Sequence, residues 1–437
     1  MKKVLIRTLG CEKNTVDSEN AARILSDSGC VITEDPDDAD MFLVNTCGFI
    51  KDAKQQSIQT IFDIARIKGD RPLIVSGCLT QRYAKELEKE LPEADYILGV
   101  NDYDRLPEIV TGLAAGRVFA GPCGKQYKEL GARKLTTSPW TRSIKIAEGC
   151  SNVCSYCIIP AIRGRYRSRR EEDILKEARQ LAEEGCRELV VIAQDVTFYG
   201  RDLGLKDALP GLLRKLSAIE GIEWIRLMYC YEDEITEGLI REIKTNDKIC
   251  KYIDIPIQHC NDGILKAMDR KSTGDSIRNT ITTLRKEVPN ITIRTTLIVG
   301  FPGETRQQFE ELLQFVEETR FDRLGVFTYS KEEGTKAAAM KGQVRSDVKQ
   351  RRCDRIMAAQ QQISLDHNRS FIGRTIPVLV EETDPDGSFI GRSRMDAPEI
   401  DNSVIFTGPE GVRPGDIVNV LITDAFDYDL CGKVVEQ

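Results

Sequence analysis

Apolar runs followed by amphipathic stretches recur through the first three quarters of this chain. The first third contains three such units, with strands predicted at Lys3–Thr8, Met41–Thr46 and Leu73–Ser76. The helices that follow are predicted to begin near Asp17 and Ala53 and to run over Gln81–Glu90. Strands that alternate with helices in this way indicate a doubly wound parallel sheet.

The alternation continues from residue 143 onward. Six further strands are predicted at Ser143–Ala147, Glu188–Ala193, Trp224–Met228, Tyr252–Ile257, Ile291–Val299 and Arg323–Thr328. Helical periodicity separates them, as at Glu172–Glu184, Leu205–Ile219 and Thr305–Glu318. This pattern predicts a TIM-like partial (βα)6 barrel. The active site of such a barrel lies where the loops leave the C-terminal strand ends.

The last part of the chain changes pattern after a helical connector at about Val348–Asp366. Short strands separated by Gly, Pro and Asp are predicted at Ile376–Glu381, Ser388–Ile390, Val404–Phe406 and Ile417–Ile422. They indicate a small antiparallel β-barrel. We therefore predict an α/β protein with three domains, at residues 1–135, 136–368 and 369–437.

Composition narrows the class of protein. The chain has 437 residues, 41% of them hydrophobic, and a net charge of −7, so it can bury a sizeable core. No apolar run approaches the ~18 residues of a membrane span, and the first residues lack the features of a signal peptide. Fourteen cysteines then favour thiolate ligands in a cytoplasmic protein over disulfides. With only two histidines, imidazole-rich metal sites are hard to build.

Three cysteines follow the first strand of the predicted barrel, at Cys150, Cys154 and Cys157, with Tyr156 beside the last one. No fourth soft ligand lies next to them. A structural zinc site uses four protein ligands, whereas a four-iron cluster held by three thiolates keeps one iron open for a substrate or cofactor. A zinc knuckle completed from elsewhere and buried cysteines without a metal remain the alternatives.

Three more cysteines, Cys11, Cys47 and Cys78, each follow one of the N-terminal strands. Ends of parallel strands gather at one edge of a sheet, so these thiols can meet although they are far apart in sequence. Any one of them alone fits a small buried residue. Their shared position in three successive units predicts a second three-thiolate cluster.

Other candidate cofactor contacts follow later barrel strands. They are Gln194 with Asp195, Gln258 with His259, and the glycines Gly300 and Gly303 of a Gly-Phe-Pro-Gly segment. Glycines allow a ligand to approach the backbone closely, although the same segment also fits a simple turn before the next helix.

Charge is distributed unevenly. Residues 371–437 contain five basic and thirteen acidic residues, a net charge of −8. An RNA-binding barrel needs the opposite sign, so this module disfavours RNA, while charge that merely maintains solubility remains an alternative. The segment Arg163–Arg170 holds five arginines. It fits contacts to RNA phosphate, contacts to carboxylates near the active site, or a solvated loop.

Over nearly its full length the chain resembles the methylthiotransferase family of radical S-adenosylmethionine enzymes, which have a cluster domain, a radical barrel and a TRAM domain. The resemblance implies that Cys11, Cys47 and Cys78 hold an auxiliary 4Fe-4S cluster and that the other trio holds the radical 4Fe-4S cluster. One branch of the family modifies a ribosomal protein and another modifies transfer RNA. Residues 45–54, 252–259 and 396–401 are similar to the first branch. Cys260 departs from the expected small residue and is assigned no role.

The resemblance implies that an aspartate of small-subunit ribosomal protein S-12, free or in the ribosomal subunit, gains a methylthio group on its β-carbon. That C–H bond is too weakly acidic for an ordinary base, so a 5'-deoxyadenosyl radical from S-adenosylmethionine must remove the hydrogen. A second S-adenosylmethionine supplies the methyl group. Implied partners include an electron donor such as flavodoxin or ferredoxin, with no membrane and with transfer RNA disfavoured. The alternatives are a transfer-RNA methylthiotransferase and a non-catalytic iron–sulfur carrier.

Overall fold

The N-terminal module is a parallel sheet of six strands in a computed structural model that describes residues 1–136 and 138–435. Its elements are β1 (Lys3–Thr8), α1 (Glu12–Asp27), β2 (Val31–Thr33), β3 (Met41–Thr46), α2 (Lys51–Lys68), β4 (Leu73–Gly77), α3 (Cys78–Glu90), β5 (Tyr96–Leu98), α4 (Leu106–Val110) and β6 (Val118–Phe119). The strand order is β2-β1-β3-β4-β5-β6. This order reverses direction between β1 and β3, and ligands of doubly wound sheets bind at such a reversal.

Strands of this sheet bury both faces. Val4 and Leu43 pack with α1 and α4 on one face, whereas Leu5, Phe42 and Val44 pack with α2 and α3 on the other. Successive side chains of a strand point to opposite faces, so a continuous apolar run serves a sheet that helices cover on both sides. The predicted doubly wound fold is confirmed.

The central module contains six parallel strands in an open curved sheet, flanked by helices. Its elements are β7 (Thr141–Lys145), β8 (Ala147–Glu148), α5 (Ile159–Arg163), β9 (Arg167–Ser168), α6 (Glu171–Glu183), β10 (Glu188–Ile192), α7 (Ala208–Ser217), β11 (Trp224–Leu227), α8 (Glu237–Thr245), β12 (Ile249–Asp254), α9 (Asp262–Ala267), α10 (Gly274–Glu287), β13 (Thr292–Val299), α11 (Arg306–Thr319), β14 (Arg323–Thr328) and α12 (Ser346–Arg369). The order β7-β10-β11-β12-β13-β14 follows the chain, as in a partial barrel, while β8 and β9 form a separate antiparallel pair.

The C-terminal module is a closed five-stranded barrel. It consists of β15 (Thr375–Thr383), β16 (Phe389–Ser393), β17 (Val404–Thr407), β18 (Ile417–Ala425) and β19 (Leu430–Val434). Four of its pairings are antiparallel, and β17 pairs with β19 in parallel. The small barrel is therefore confirmed, with one parallel pairing that the strand pattern did not predict.

The three modules share a core and an ion-pair network. Val16 of α1, Trp224 of β11 and Leu379 of β15 belong to one apolar cluster. Beside it, the carboxylate of Glu188 lies 2.7 Å from Arg226 of the central module and 2.6 Å from Arg392 of the C-terminal barrel. The C-terminal module contributes two carboxylates of its own to such pairs, because Asp396 pairs with Arg323 and Asp401 with Arg294. Part of the acidity of the last module therefore fastens it to the central one.

Several predicted boundaries shift. Helices α1, α2 and α3 begin earlier than expected. Helices α1 and α3 begin directly after tight turns that contain a glycine. The run predicted at Ser143–Ala147 divides into β7 and β8. The strand predicted at Tyr252–Ile257 is displaced to Ile249–Asp254, because Pro256 has no N–H for the strand ladder. Strands β2, β5, β6, β9 and β19 were not predicted, being short or lacking a long apolar run. No helix among the described residues is long and apolar enough to cross a membrane.

Candidate functional site

Tight turns bring Cys11, Cys47 and Cys78 together at one edge of the N-terminal sheet. Neighbouring strands β1, β3 and β4 each end just before one of these cysteines. Gly10 has φ +102°, and a side chain there would meet the Cβ of Cys47 at 3.0 Å. A Cβ on Gly48 would lie only 2.7 Å from the backbone of Leu79. Glycine therefore allows the loops that carry these cysteines to approach one another closely.

Two buried asparagines hold these turns in place. The Asn14 amide donates to the carbonyl of Leu9 at 2.6 Å and to that of Thr46 at 3.1 Å. The Asn45 amide donates to the carbonyl of Asn14 and to the hydroxyl of Ser18, both at 2.9 Å. Since every bond is buried or partly buried, the start of α1 is fixed against the ends of β1 and β3.

The buried thiol of Cys78 has a cationic neighbour. Burial raises the pKa of Cys78 to about 11, and the guanidinium of Arg163 opposes that rise. Nη2 of Arg163 lies 3.3 Å from the sulfur and 2.7 Å from Oδ1 of Asn14. A metal ligand must be a thiolate, so this guanidinium is placed to stabilise the ligand form of Cys78.

The second cysteine trio lies on the loop after β8, which is anchored from several sides. The Cys150 amide donates to the Gly164 carbonyl at 3.1 Å, and the Ser155 amide donates to the Met268 carbonyl at 2.9 Å. Burial raises the pKa of Cys150 to about 11 and that of Cys157 to about 12. The loop thus holds its thiols in one place, at the end of the barrel where chemistry is expected.

Neither trio has the arrangement of a single-ion site. Within residues 1–136 and 138–435, no three His, Cys, Asp or Glu side chains converge closely enough to hold one metal ion. Zinc needs four ligands, with thiolates about 2.3 Å from the metal. A four-iron cluster is bound differently, because each thiolate binds a different iron.

A buried network of charged groups connects the two trios. Glu148, two residues before Cys150, accepts from Lys145 at 2.7 Å and from Arg163 at 3.1 Å. Both cations also pair with Asp17 of α1, at 2.6 and 2.9 Å. Burial alone would raise the pKa of Glu148, but Arg163 and Lys145 hold it well below its usual range. Arg163 therefore touches Cys78 on one side and the carboxylate before Cys150 on the other.

Most of the arginine-rich segment is buried. Arg163 pairs with Glu148, and Arg169 pairs with Glu129 at 2.7 Å and Glu177 at 2.6 Å. Only Arg165 and Arg170 are exposed among its five arginines. Of the three interpretations of this segment, the contact with carboxylates is confirmed for these buried side chains.

The two glutamines predicted to contact a cofactor, Gln194 and Gln258, have different surroundings. Gln194 donates to Glu148 at 2.8 Å, and its Oε1 is buried without a hydrogen-bond partner in the described residues. Its neighbour Asp195 accepts from Asn152 of the cysteine loop at 3.0 Å, and burial raises the pKa of Asp195 to about 6. Gln258 has φ +69° and donates to the Pro256 carbonyl at 3.2 Å.

His259 has a local structural role. Its Nδ1 accepts from the backbone amides of Cys260 at 3.0 Å and Asn261 at 2.9 Å. Burial lowers the pKa of His259 to about 3, so the ring is neutral and closes a turn. Its Nε2 has no hydrogen-bond partner among the described residues.

Gly300 and Gly303 form a turn that packs against the protein itself. The Glu304 carboxylate accepts from the backbone amides of Gly300 at 2.5 Å and Phe301 at 3.0 Å. A Cβ on Gly300 would meet the side chain of Lys349 at 2.3 Å. The alternative of a turn therefore describes this segment. Phe301 of this turn packs in one apolar cluster with Tyr156, which lies between Cys154 and Cys157 in the sequence.

Tyrosines at the end of β11 were not anticipated from the sequence, nor was the lysine that one of them contacts. The Tyr231 hydroxyl lies 3.7 Å from the sulfur of Cys154. Tyr229, two residues earlier, has its ring centroid 3.2 Å from Nζ of Lys13. Lys13 stands two residues after Cys11, and this proximity to a proposed ligand was the only available signal.

Both the sequence and the fold of this chain resemble those of radical S-adenosylmethionine enzymes. Sequence profiles match the uncharacterized protein family UPF0004 at residues 3–99, the radical SAM superfamily at 144–316 and the TRAM domain at 372–435. The fold is similar to that of the radical S-adenosylmethionine methyltransferase TsrM from Kitasatospora setae, with TM-score 0.55, 15% identity and 75% of each chain covered. It is also similar to the cobalamin-dependent enzyme OxsB, with TM-score 0.54, 12% identity, and 83% of this chain and 58% of that one covered.

Curated relatives narrow the class further. A protein of Thermoanaerobacter sp. (strain X514) is 49% identical, covering 99% of this chain and 100% of the relative. Proteins of Clostridium botulinum (strain Hall) and Geotalea uraniireducens (strain Rf4) are 49% and 48% identical, each covering 98% of the relative. All three are named ribosomal protein uS12 methylthiotransferase RimO. The chain belongs to this family of radical S-adenosylmethionine methylthiotransferases.

Proposed function

We propose that this protein transfers a methylthio group to the β-carbon of an aspartate in ribosomal protein uS12. The observation that carries the proposal is the pair of cysteine trios, one at the edge of the N-terminal sheet and one on the loop after β8, joined through Arg163 and Glu148. The full-length relatives named for this activity support it. The proposed site is therefore the space between the two trios.

We further propose that each trio holds one 4Fe-4S cluster. Each offers three thiols, which suits a cluster with one iron left free of protein ligands. When bound, these groups would supply reductive cleavage of S-adenosylmethionine at one end of the site and transferable sulfur at the other. The protein contributes position and the exclusion of water.

Residues around Cys150, Cys154 and Cys157 are suited to hold S-adenosylmethionine. The unpartnered Oε1 of Gln194 is an acceptor for an ammonium or hydroxyl group of that cofactor. We keep Gln258 as a proposed contact because it lies just after the fourth barrel strand, β12, at the end of the barrel where such folds bind ligands. Tyr156 would pack beside the ligand. The Lys349 side chain fills the space beside Gly300. We therefore propose that Gly300 and Gly303 act by shaping the turn that holds Phe301.

The substrate surface we propose is acidic. A cavity of about 400 Å³ lies between the three modules, and its lining includes Glu12, Glu382 and Glu399. None of these three carboxylates forms an ion pair within the described residues, unlike Asp396 and Asp401. Such a surface attracts a basic ribosomal protein and repels transfer RNA, which we regard as a disfavoured substrate.

The acidic surface can be tested by removing one charge. At low salt, Glu382→Gln should reduce kcat/KM for uS12 by about twofold to fivefold, as expected for one exposed charge contact. Glu410→Gln removes the same charge from an exposed residue of the same barrel that does not line the cavity, and it should have no such effect. If the two variants have the same kcat/KM for uS12 at all salt concentrations, the acidic residues maintain solubility and do not bind the substrate.

An external reductant is also part of the proposal, since reductive cleavage consumes an electron; a flavodoxin or ferredoxin has suitable chemistry. A non-catalytic iron–sulfur carrier is the alternative from another class. Release of 5'-deoxyadenosine by the reduced, cluster-loaded protein would support an enzyme, whereas its absence in the presence of uS12 would support the carrier.

A further inference from the structure

Lys13 is a buried cation without a polar partner. Only 7% of the residue is exposed, and its ammonium makes no hydrogen bond or ion pair with any described residue. Its Nζ lies 3.2 Å from the centroid of the Tyr229 ring. A cation–π contact offsets only part of the cost of burying an ammonium group. No carboxylate of the described residues therefore bonds to this ammonium.

Lys13 lies near residues of both cysteine trios. Lys13 follows Cys11 by two residues in α1 and has Cys11 and Glu148 among its electrostatic neighbours. The segment that carries Tyr229 continues to Tyr231, whose hydroxyl lies 3.7 Å from the sulfur of Cys154. One short stretch of chain thus connects the surroundings of Lys13 with the second trio.

Neighbouring carboxylates are already engaged with other cations. Glu148 pairs with Lys145 and Arg163. Asp254 pairs with Arg294 at 3.0 Å and accepts from the Tyr229 amide at 3.0 Å. Lys13 is therefore free to bind a carboxylate that arrives from outside.

We propose that Lys13 binds the side-chain carboxylate of the substrate aspartate and so positions its β-carbon between the trios. This inference rests on the proposed function, in which the modified carbon is bonded directly to that carboxylate. Fixing the carboxylate leaves the β-carbon one bond away, and an oriented carbon is what hydrogen removal and sulfur transfer both need. Lys13 is thus a positioning and specificity residue. It recognises aspartate by charge and disfavours asparagine.

A binding cycle tests this role without relying on turnover. The cluster-loaded parent protein and Lys13→Met are each titrated under anaerobic conditions with uS12 and with uS12 in which the target aspartate is changed to asparagine. We expect the parent to bind the aspartate form about tenfold to one-hundredfold more tightly, as for a hydrogen-bonded charge contact. In Lys13→Met this preference should nearly vanish.

Controls separate this role from a general loss of structure. Lys51→Met removes the same charge from an exposed lysine close to Cys47 and should retain the preference for aspartate. Iron and sulfide content and circular dichroism report whether each variant is intact. If Lys13→Met does not fold, Lys13→Gln, which keeps a donor and loses the charge, serves the same cycle and should also lose the preference.

Each other outcome has a definite meaning. An equal aspartate preference in the parent and in the Lys13 variants would overturn the inference while leaving the proposed function intact. A loss of S-adenosylmethionine affinity in Lys13→Met, with the aspartate preference unchanged, would assign the lysine to the cofactor carboxylate instead and would also overturn it. Failure of the parent to bind uS12 at all would overturn the proposed function and this role together.

Discussion

The carboxylate of Glu188 is expected to fasten the C-terminal barrel to the central module. It is completely buried and lies 2.7 Å from Arg226 and 2.6 Å from Arg392. Burial alone would raise the pKa of Glu188, but the two guanidinium groups outweigh it and lower the pKa from 4.5 to about 2. At ~1.4 kcal/mol per pKa unit, the ionised carboxylate contributes on the order of 3 kcal/mol to folding.

Glu188→Gln should therefore lower the free energy of unfolding by about 3 kcal/mol, because two buried guanidinium groups lose their counter-charge. Urea unfolding of the cluster-loaded protein, followed by tryptophan fluorescence, measures this. The chain has two tryptophans, and both lie at this junction. Trp140 is next to Gly415 of the barrel, and Trp224 is in the apolar cluster shared by the modules.

The pH dependence has a definite sign. The folded-state pKa of Glu188 is depressed, so its contribution is present above about pH 4.5 and is lost as the pH falls toward 2. The stability difference between parent and Glu188→Gln should narrow over that window. Glu223→Gln is the matched control, because its ion pair with Arg187 is exposed at 3.6 Å, and it should cost less than about 1 kcal/mol. Equal losses for the two variants would refute the reasoning.

Two further predictions concern the cysteines. Cys154→Ala should lose the iron of one cluster and abolish formation of 5'-deoxyadenosine, because two thiolates do not hold a four-iron cube securely; undiminished formation would contradict the assignment. Replacing Cys11, Cys47 and Cys78 together by Ala should leave 5'-deoxyadenosine formation largely intact and eliminate the methylthio product, and a triple variant that still binds two clusters would show that these cysteines do not act together.

The order of strands and helices could be predicted because the relevant signals are local. An apolar run such as Met41–Thr46 is buried on both faces, and a sheet covered by helices requires that pattern. The convergence of Cys11, Cys47 and Cys78 followed from topology alone, since ends of neighbouring parallel strands share an edge. Short edge strands such as Val31–Thr33 were missed, because three residues carry too little periodicity to be recognised.

Roles that depend on tertiary partners could not be predicted. The segment Arg163–Arg170 allowed several interpretations, and only the fold shows that Arg163 reaches both Cys78 and Glu148. In the same way, the net charge of the last module did not reveal that Asp396 forms a buried ion pair with Arg323. Lys13 gave no pattern at all, because its isolation is a property of what surrounds it in three dimensions.

The central claim is that this protein methylthiolates an aspartate of uS12, and side-by-side turnover tests it most directly. The reduced, cluster-loaded protein is incubated anaerobically with S-adenosylmethionine and either uS12 or transfer RNA, and each product is analysed by mass spectrometry. We predict that one aspartate of uS12 gains a methylthio group in place of a hydrogen while transfer RNA is unchanged. Modification of transfer RNA, with uS12 left unmodified, would contradict it.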